Sequence, residues 1–154
     1  MIMNLPINTD LSGKVAVVTG AGGVLCSAFA QVLAAAGAKV ALLDINEAAA
    51  QSFAAQITAA GYTAKAYKCD VLSKASCLAV AEQVASELGT CDILLNGAGG
   101  NNPKATTDKE YYEPGDEHAD TKSFFDLDSA GVKFVFDLNF LGTLIPTQAF
   151  AAQM

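Results

Sequence analysis

Gly20, Gly22 and Gly23 follow a short apolar run, Lys14-Val-Ala-Val-Val-Thr19, and Asp44 closes a second such run 24 positions after Gly20. Glycines clustered this tightly let a backbone turn sharply and approach a phosphate with no Cβ in the way. A helix opening directly behind them, at Val24 and Leu25, would aim unpaired N–H groups and a positive dipole end at an anion. A carboxylate at about this distance downstream can accept hydrogen bonds from a ribose 2′-hydroxyl. Together these residue types predict a site for the pyrophosphate of a dinucleotide over Gly20, Gly22, Gly23, Val24 and Leu25, with its ribose on Asp44. The sign of the Asp44 charge selects among dinucleotides. It would repel a 2′-phosphate, and the sequence holds nine lysines and no arginine to offset it, so NAD is expected over NADP. The plainer role for Asp44 is to cap the helix that follows.

Three further stretches could serve the same ligand. Asp70 and Val71 end a third apolar run, where an acid can accept from an adenine amino group and an apolar neighbour can pack on the ring. A second helix cap is an equally good account of Asp70. Asn96-Gly97-Ala98-Gly99-Gly100 closes a fourth run, and small residues there would let the chain pass beneath a nucleotide or simply turn. Asn139 is a polar amide in an apolar helix and needs a partner, which could be the backbone. His118, the one histidine, lies in an acidic stretch and reads as a surface residue. The carboxylates around it lack the spacing of a calcium loop, and no metal is expected.

These residues need a scaffold that delivers them to one place. The pattern supplies it: strands over 14–19, 39–44, 63–69 and 91–96, alternating with helices over 23–36, 46–60 and 73–88, each helix followed by Gly37, Gly61 or Gly89. Such alternation means right-handed βαβ units and a parallel sheet, an α/β doubly wound, Rossmann-type fold with about four strands. Residues 1–13, with Pro6, read as a loose lead-in. Residues 97–128 interrupt the alternation with two prolines and a run of acids, and read as a long, structureless acidic loop. From Ser129 the chain is helical to the end, with a kink expected at Pro146.

At 154 residues, 52% of them hydrophobic and 16% charged, the chain is a globular domain of one core rather than a disordered segment. A net charge of −7 argues against nucleic acid, which needs a basic footprint. No signal peptide opens the chain, and its most apolar stretch, 24–43, is broken by Ser27, Gln31, Gly37 and Lys39, so neither export nor a membrane span is expected. Cys26, Cys69, Cys77 and Cys91 form no C-x-x-C pair and read as reduced, packed thiols of a cytoplasmic protein.

Thr19-Gly20 with the glycine cluster, Asp44, Asp70-Val71, Asn96-Gly-Ala-Gly99 and Asn139 fall in the order of the short-chain dehydrogenase/reductase family, which the chain resembles over nearly its whole length. Within that family the stretches 96–107 and 136–143 resemble the branch associated with mannonate/fructuronate oxidoreduction. The likeness implies an NAD(P)-dependent oxidoreductase that moves hydride between a nicotinamide and a hydroxy or keto carbon, with a sugar acid as substrate. It implies that Lys104 could meet the acid's carboxylate and that Asn139 helps hold a water-linked proton path. Two departures stand out. Val24 and Cys26 occupy positions where the family pattern has glycine, with Gly22 and Gly23 standing in, and the Asn-Asn-Ala-Gly motif is here Asn-Gly-Ala-Gly. The family's proton-moving Tyr-x-x-x-Lys and Ser would follow the helix of Asn139. None of Tyr62, Tyr67, Tyr111 and Tyr112 has that spacing, so the chain reads as the cofactor-binding front of a longer enzyme, without meaningful turnover alone. A fourth strand at an open sheet edge, and an apolar terminal helix that in this family packs against its copy, imply a homo-oligomer. The rival readings are a methyltransferase, which also uses a glycine turn and strand-end acids, and a non-catalytic nucleotide-binding or scaffold module.

Overall fold

The computed structural model describes residues 9–118 and 120–154. The lead-in read over 1–13 therefore lies outside the described residues for its first eight positions, Pro6 among them. Four parallel strands, β1 (Val15–Thr19), β2 (Lys39–Asp44), β3 (Ala64–Lys68) and β4 (Ile93–Leu95), form one sheet in the order β3-β2-β1-β4. Helices α1 (Val24–Ala35), α2 (Glu47–Ala59) and α3 (Lys74–Glu87) make the crossovers. The order reverses at β1, so the crevice between the first turn and the β4 end is the topological switch point of the sheet.

The central strands are buried on both faces, and their alternating side chains feed two cores. Ala16, Val18, Val40 and Leu42 pack with Ala30 and Ala34 of α1 and Ala50, Ala54 and Ile57 of α2. Val17, Ala41, Leu43 and Tyr67 point the other way, into Val80, Ala81 and Val84 of α3 and the fully buried Phe150. Alanines dominate the helix faces, which lets α1 and α2 sit close to the sheet. Asn46 and Ser73 cap α2 and α3 through their side-chain oxygens, accepting from Ala49 N and Ser76 N. All four cysteines are buried free thiols, and Cys69 and Cys77 lie with their sulfurs 3.9 Å apart.

Strand β4 is shorter than the expected 91–96. At its start the Val15 N–H goes to the Asp92 carboxylate at 2.8 Å, and beyond its end the N–H groups of Gly97 and Ala98 both donate to Thr19 Oγ1 at 3.1 Å. Side chains take over where the ladder stops.

The acidic stretch 97–128 is not structureless. It contains short 3-10 turns at Pro103–Ala105, Asp116–His118 and Phe124–Asp126, and part of its charge is matched locally. Lys109 pairs with Glu113 at 3.0 Å and with Asp116 at 2.8 Å, while Ser123 and Asp126 form a reciprocal cap. His118 is exposed, as read. Among the described residues no group of acids, histidines and cysteines could hold a metal ion. Asp116 is held below the ordinary aspartate value by its bond from Lys109, then by the Glu113 N–H; Asp126 by the Ser123 N–H, then its hydroxyl; Asp128 by the N–H groups of Gly131 and Ala130. Depressed values stabilise the fold above the unfolded pKa and lose that contribution as pH falls through the folded one. The amide resonances of Glu113, Ser123 and Gly131 should therefore hold steady from neutral pH downward and titrate with midpoints below 3.8, the ordinary aspartate value. Midpoints at or above that value would contradict the assigned bonds.

The terminal segment is helical but broken. Helix α4 (Ser129–Phe136) runs into a π turn at Asp137–Leu141, and α5 (Gly142–Phe150) follows. The irregularity lies upstream of Pro146 rather than at it. Because α5 restarts at Gly142, the missing Pro146 N–H deprives only the Gly142 carbonyl of its helical partner. No helix among the described residues is long and apolar enough to cross a membrane.

Candidate functional site

A cleft of about 630 Å³ opens across the carboxyl ends of the strands. The first βα turn makes its floor. Gly20 has φ +68°, and a Cβ there would stand 2.8 Å from the Ala98 backbone and the Gly97 carbonyl. The turn is thus pressed against the end of β4 with no room for a side chain. Gly23 is the N-cap of α1 and brings no capping side chain, and the first turn of α1 carries no acid. The N–H groups of Val24, Leu25 and Cys26 have no acceptor within the helix and open onto the cleft, and the first turn brings no carboxylate of its own to occupy them.

Asp44 stands at the end of β2 beside this turn. Its Oδ2 accepts from Gly22 N and its Oδ1 from Asn46 N, both at 2.8 Å. A Cβ on Gly22 would meet the Asp44 carboxyl carbon at 2.8 Å, so Gly22 makes room for the acid rather than for a ligand. Asn46, not Asp44, supplies the side-chain cap of α2. At the end of β3, Asp70 Oδ1 accepts from Leu72 N at 2.9 Å, and Val71 forms part of the cleft wall.

Gly20, Gly22, Gly23, Val24, Leu25, Asp44, Asp70, Val71, Gly97, Ala98 and Gly99 all line this one cleft. Asn96 and Asn139 do not. The Asn96 amide turns to α5, donating to Thr147 Oγ1 at 2.9 Å, while its buried Oδ1 has no partner. Asn139, in the π turn, donates to the Gly100 and Val135 carbonyls at 2.8 Å and accepts from Gly100 N at 3.2 Å. Its amide holds the segment after β4 in place, and Gly99 has no space for a Cβ because Asn139 Oδ1 fills it.

Several residues of the site escaped the sequence reading. Ile45, Leu72, Phe134 and Leu138 add apolar walls. Ile45, directly after β2, and Leu72, in the turn between β3 and α3, are exposed apolar side chains, a signal that was legible in principle. Thr19 is fully buried, and its hydroxyl joins β1 to the β4 end as described. Cys26, at a position where the family pattern has glycine, also lines the cleft, and burial followed by the nearby Asp44 charge pushes its thiol up.

The arrangement is a switch-point crevice with an anion-ready helix terminus, a strand-end carboxylate and apolar walls, which defines a nucleotide-binding α/β protein. Residues 14–154 match the model of the short chain dehydrogenase family, and the chain belongs to that family. Over 152 residues it is 52% identical to an uncharacterized oxidoreductase of Haemophilus influenzae, covering 99% of this chain and 53% of that protein. A crystal structure from the same organism, provisionally described as a D-mannonate oxidoreductase with bound NAD, superposes with a TM-score of 0.91 at 52% identity, over 96% of this chain and 52% of the other. An Escherichia coli hydroxysteroid dehydrogenase structure gives a TM-score of 0.78 at 33% identity, over 96% and 55%. The chain spans about half the length of these relatives. The family membership removes the methyltransferase reading.

Proposed function

We propose that this chain binds NAD and forms the cofactor-binding portion of an oxidoreductase that moves hydride to or from a hydroxy or keto carbon of a sugar acid. The observation that carries the reading is the Asp44 carboxylate, fixed by two backbone N–H groups beside an uncapped helix terminus. The pyrophosphate lies over Gly20, Gly23 and the N–H groups of Val24 and Leu25. Asp44 receives the adenosine ribose. Val71, with Ile45 and Leu72, packs on the adenine, and Asp70 faces its amino group. Gly97, Ala98 and Gly99 let the nicotinamide half pass, and Asn139, with Asn96, holds that segment; in the whole enzyme Asn139 serves the proton path. NAD supplies the hydride chemistry when bound, and the protein supplies binding, orientation and dryness. The sugar-acid substrate rests on the resemblance of the stretches 96–107 and 136–143 and on the relative provisionally described as a mannonate oxidoreductase. Lys104 is the residue we assign to its carboxylate. A homo-oligomer joined through the exposed Phe134, Phe136, Phe140 and Leu144 surface, in the cytoplasm, completes the proposal.

Among the described residues no lysine lines the cleft to neutralise a 2′-phosphate. Two unit charges about 4 Å apart repel by roughly 4 kcal/mol at an effective dielectric of about 20. Calorimetric titration of the chain should show NAD binding and much weaker NADP binding. Equal or tighter NADP binding would overturn the assignment of Asp44.

A further inference from the structure

Gly97 is clamped from both sides by the first βα unit. Its N–H donates to Thr19 Oγ1 at 3.1 Å, and its carbonyl accepts from the Cys26 thiol at 3.5 Å. The Cys26 side chain is buried, and its sulfur stands where a Cβ on Gly97 would have to go, far inside contact distance. Gly97 does not have a left-handed φ, so nothing in its own conformation calls for glycine. The sulfur at 26 is the nearest obstacle to a side chain at 97, ahead of the Thr19 carbonyl oxygen at 3.0 Å. The next residue, Ala98, is the one that closes on Gly20, so the placement of Gly97 also sets how the β4 end meets the phosphate turn.

We infer that Cys26 and Gly97 form a complementary pair in which the thiol replaces side-chain volume that position 97 lacks, and that Cys26 is a positioning residue for the β4 end of the cofactor cleft. The two sequence departures, cysteine for glycine at 26 and glycine in the Asn-Gly-Ala-Gly stretch at 97, then have one cause. Neither change stands well alone: a side chain at 97 collides with the sulfur, and loss of the sulfur leaves a void and a carbonyl without its donor. The functional consequence is local. In the sheet order β3-β2-β1-β4, Asp44 and Val71 lie on one side of the phosphate turn and Gly97 on the other. An adenosine monophosphate uses only the first side, whereas a dinucleotide must cross to the second. The pair therefore governs NAD without governing the mononucleotide; this part rests on the proposed cofactor reading.

The test is a double-mutant cycle on the 154-residue chain with C26A, G97A and C26A/G97A, read by thermal midpoint and by calorimetric affinity for NAD and for AMP. G97A should lower the thermal midpoint and weaken NAD by about tenfold or more, the scale expected for overpacking in a tight site. C26A alone should weaken NAD by about threefold, the scale of one weak hydrogen bond. The double variant should recover to near the C26A level on both readouts, and AMP affinity should stay within about twofold throughout, below the effect of one weak hydrogen bond. A double variant as impaired as G97A, or the product of the two single effects, overturns the pairing. Equal losses for AMP and NAD overturn the positioning role and leave a purely structural contact. If the parent chain binds neither nucleotide, the cofactor reading fails, while the midpoints still decide whether the two positions are coupled.

Discussion

Gly20→Ala should cost the chain about 2–5 kcal/mol of stability and remove NAD binding with it. Two effects add. At φ +68° an alanine is in the left-handed region, worth roughly 1–2 kcal/mol. Its Cβ would also lie 2.8 Å from backbone atoms of Ala98 and Gly97, and backbone cannot rotate aside as a side chain can. Overpacking of this kind typically costs about 1–3 kcal/mol. Gly61 provides the control. It has φ +91° and nothing within 4 Å of a Cβ, so Gly61→Ala should show only the conformational cost, about 1 kcal/mol. Urea unfolding of both variants separates the contributions. Equal losses at the two sites would mean that the turn and the β4 end are not in contact as described.

The second large effect falls on binding rather than folding. Asp44→Ala should weaken NAD by about ten- to a hundredfold, since hydrogen bonds to a charged group contribute roughly 1.5–3 kcal/mol. The loss has two sources. The ribose acceptor disappears, and the N–H groups of Gly22 and Asn46 lose their anchor, so the turn is less well held. NADP should lose little or improve, because the repulsive charge is gone, and the ratio of the two affinities should approach one. Parallel titrations of both cofactors check this; a variant that keeps the parent preference would shift the selection to another group. Gly22→Ala is a useful companion. It leaves the carboxylate in the sequence but drives a methyl into it, and should weaken NAD in the same direction.

Much of the architecture was open to reading along the chain because it is written in local terms. Short apolar runs, helix caps at Asn46 and Ser73, and glycines at helix ends are properties of neighbouring residues, and the observed strands and crossover helices match them to within one position, or two at the start of β4. The acidic stretch misled for the same reason. Its composition resembles a solvated loop, yet the Lys109 ammonium and the Lys122 backbone N–H hold Asp116 and Asp108 in turns, over distances that composition does not reveal. The break in the terminal helix was expected at Pro146, where the missing N–H lies, but occurs over Asp137–Leu141, where the turn carries Asn139 to the Gly100 backbone.

By itself, the sequence determined the fold class, the glycine turn at Gly20 and the acid at Asp44, because a strand-turn-helix unit and a strand-end residue are specified by spacing of a few tens of positions. The tertiary structure alone decided that Gly22 serves Asp44 and that the amides of Asn96 and Asn139 are turned to protein partners. It also decided that Cys26 answers Gly97 across 71 residues. Such contacts depend on how the parallel crossovers bring β4 beside β1, and no local periodicity carries that information. A side chain missing at one position and a sulfur gained at another look like two unrelated departures until close packing puts them in the same volume.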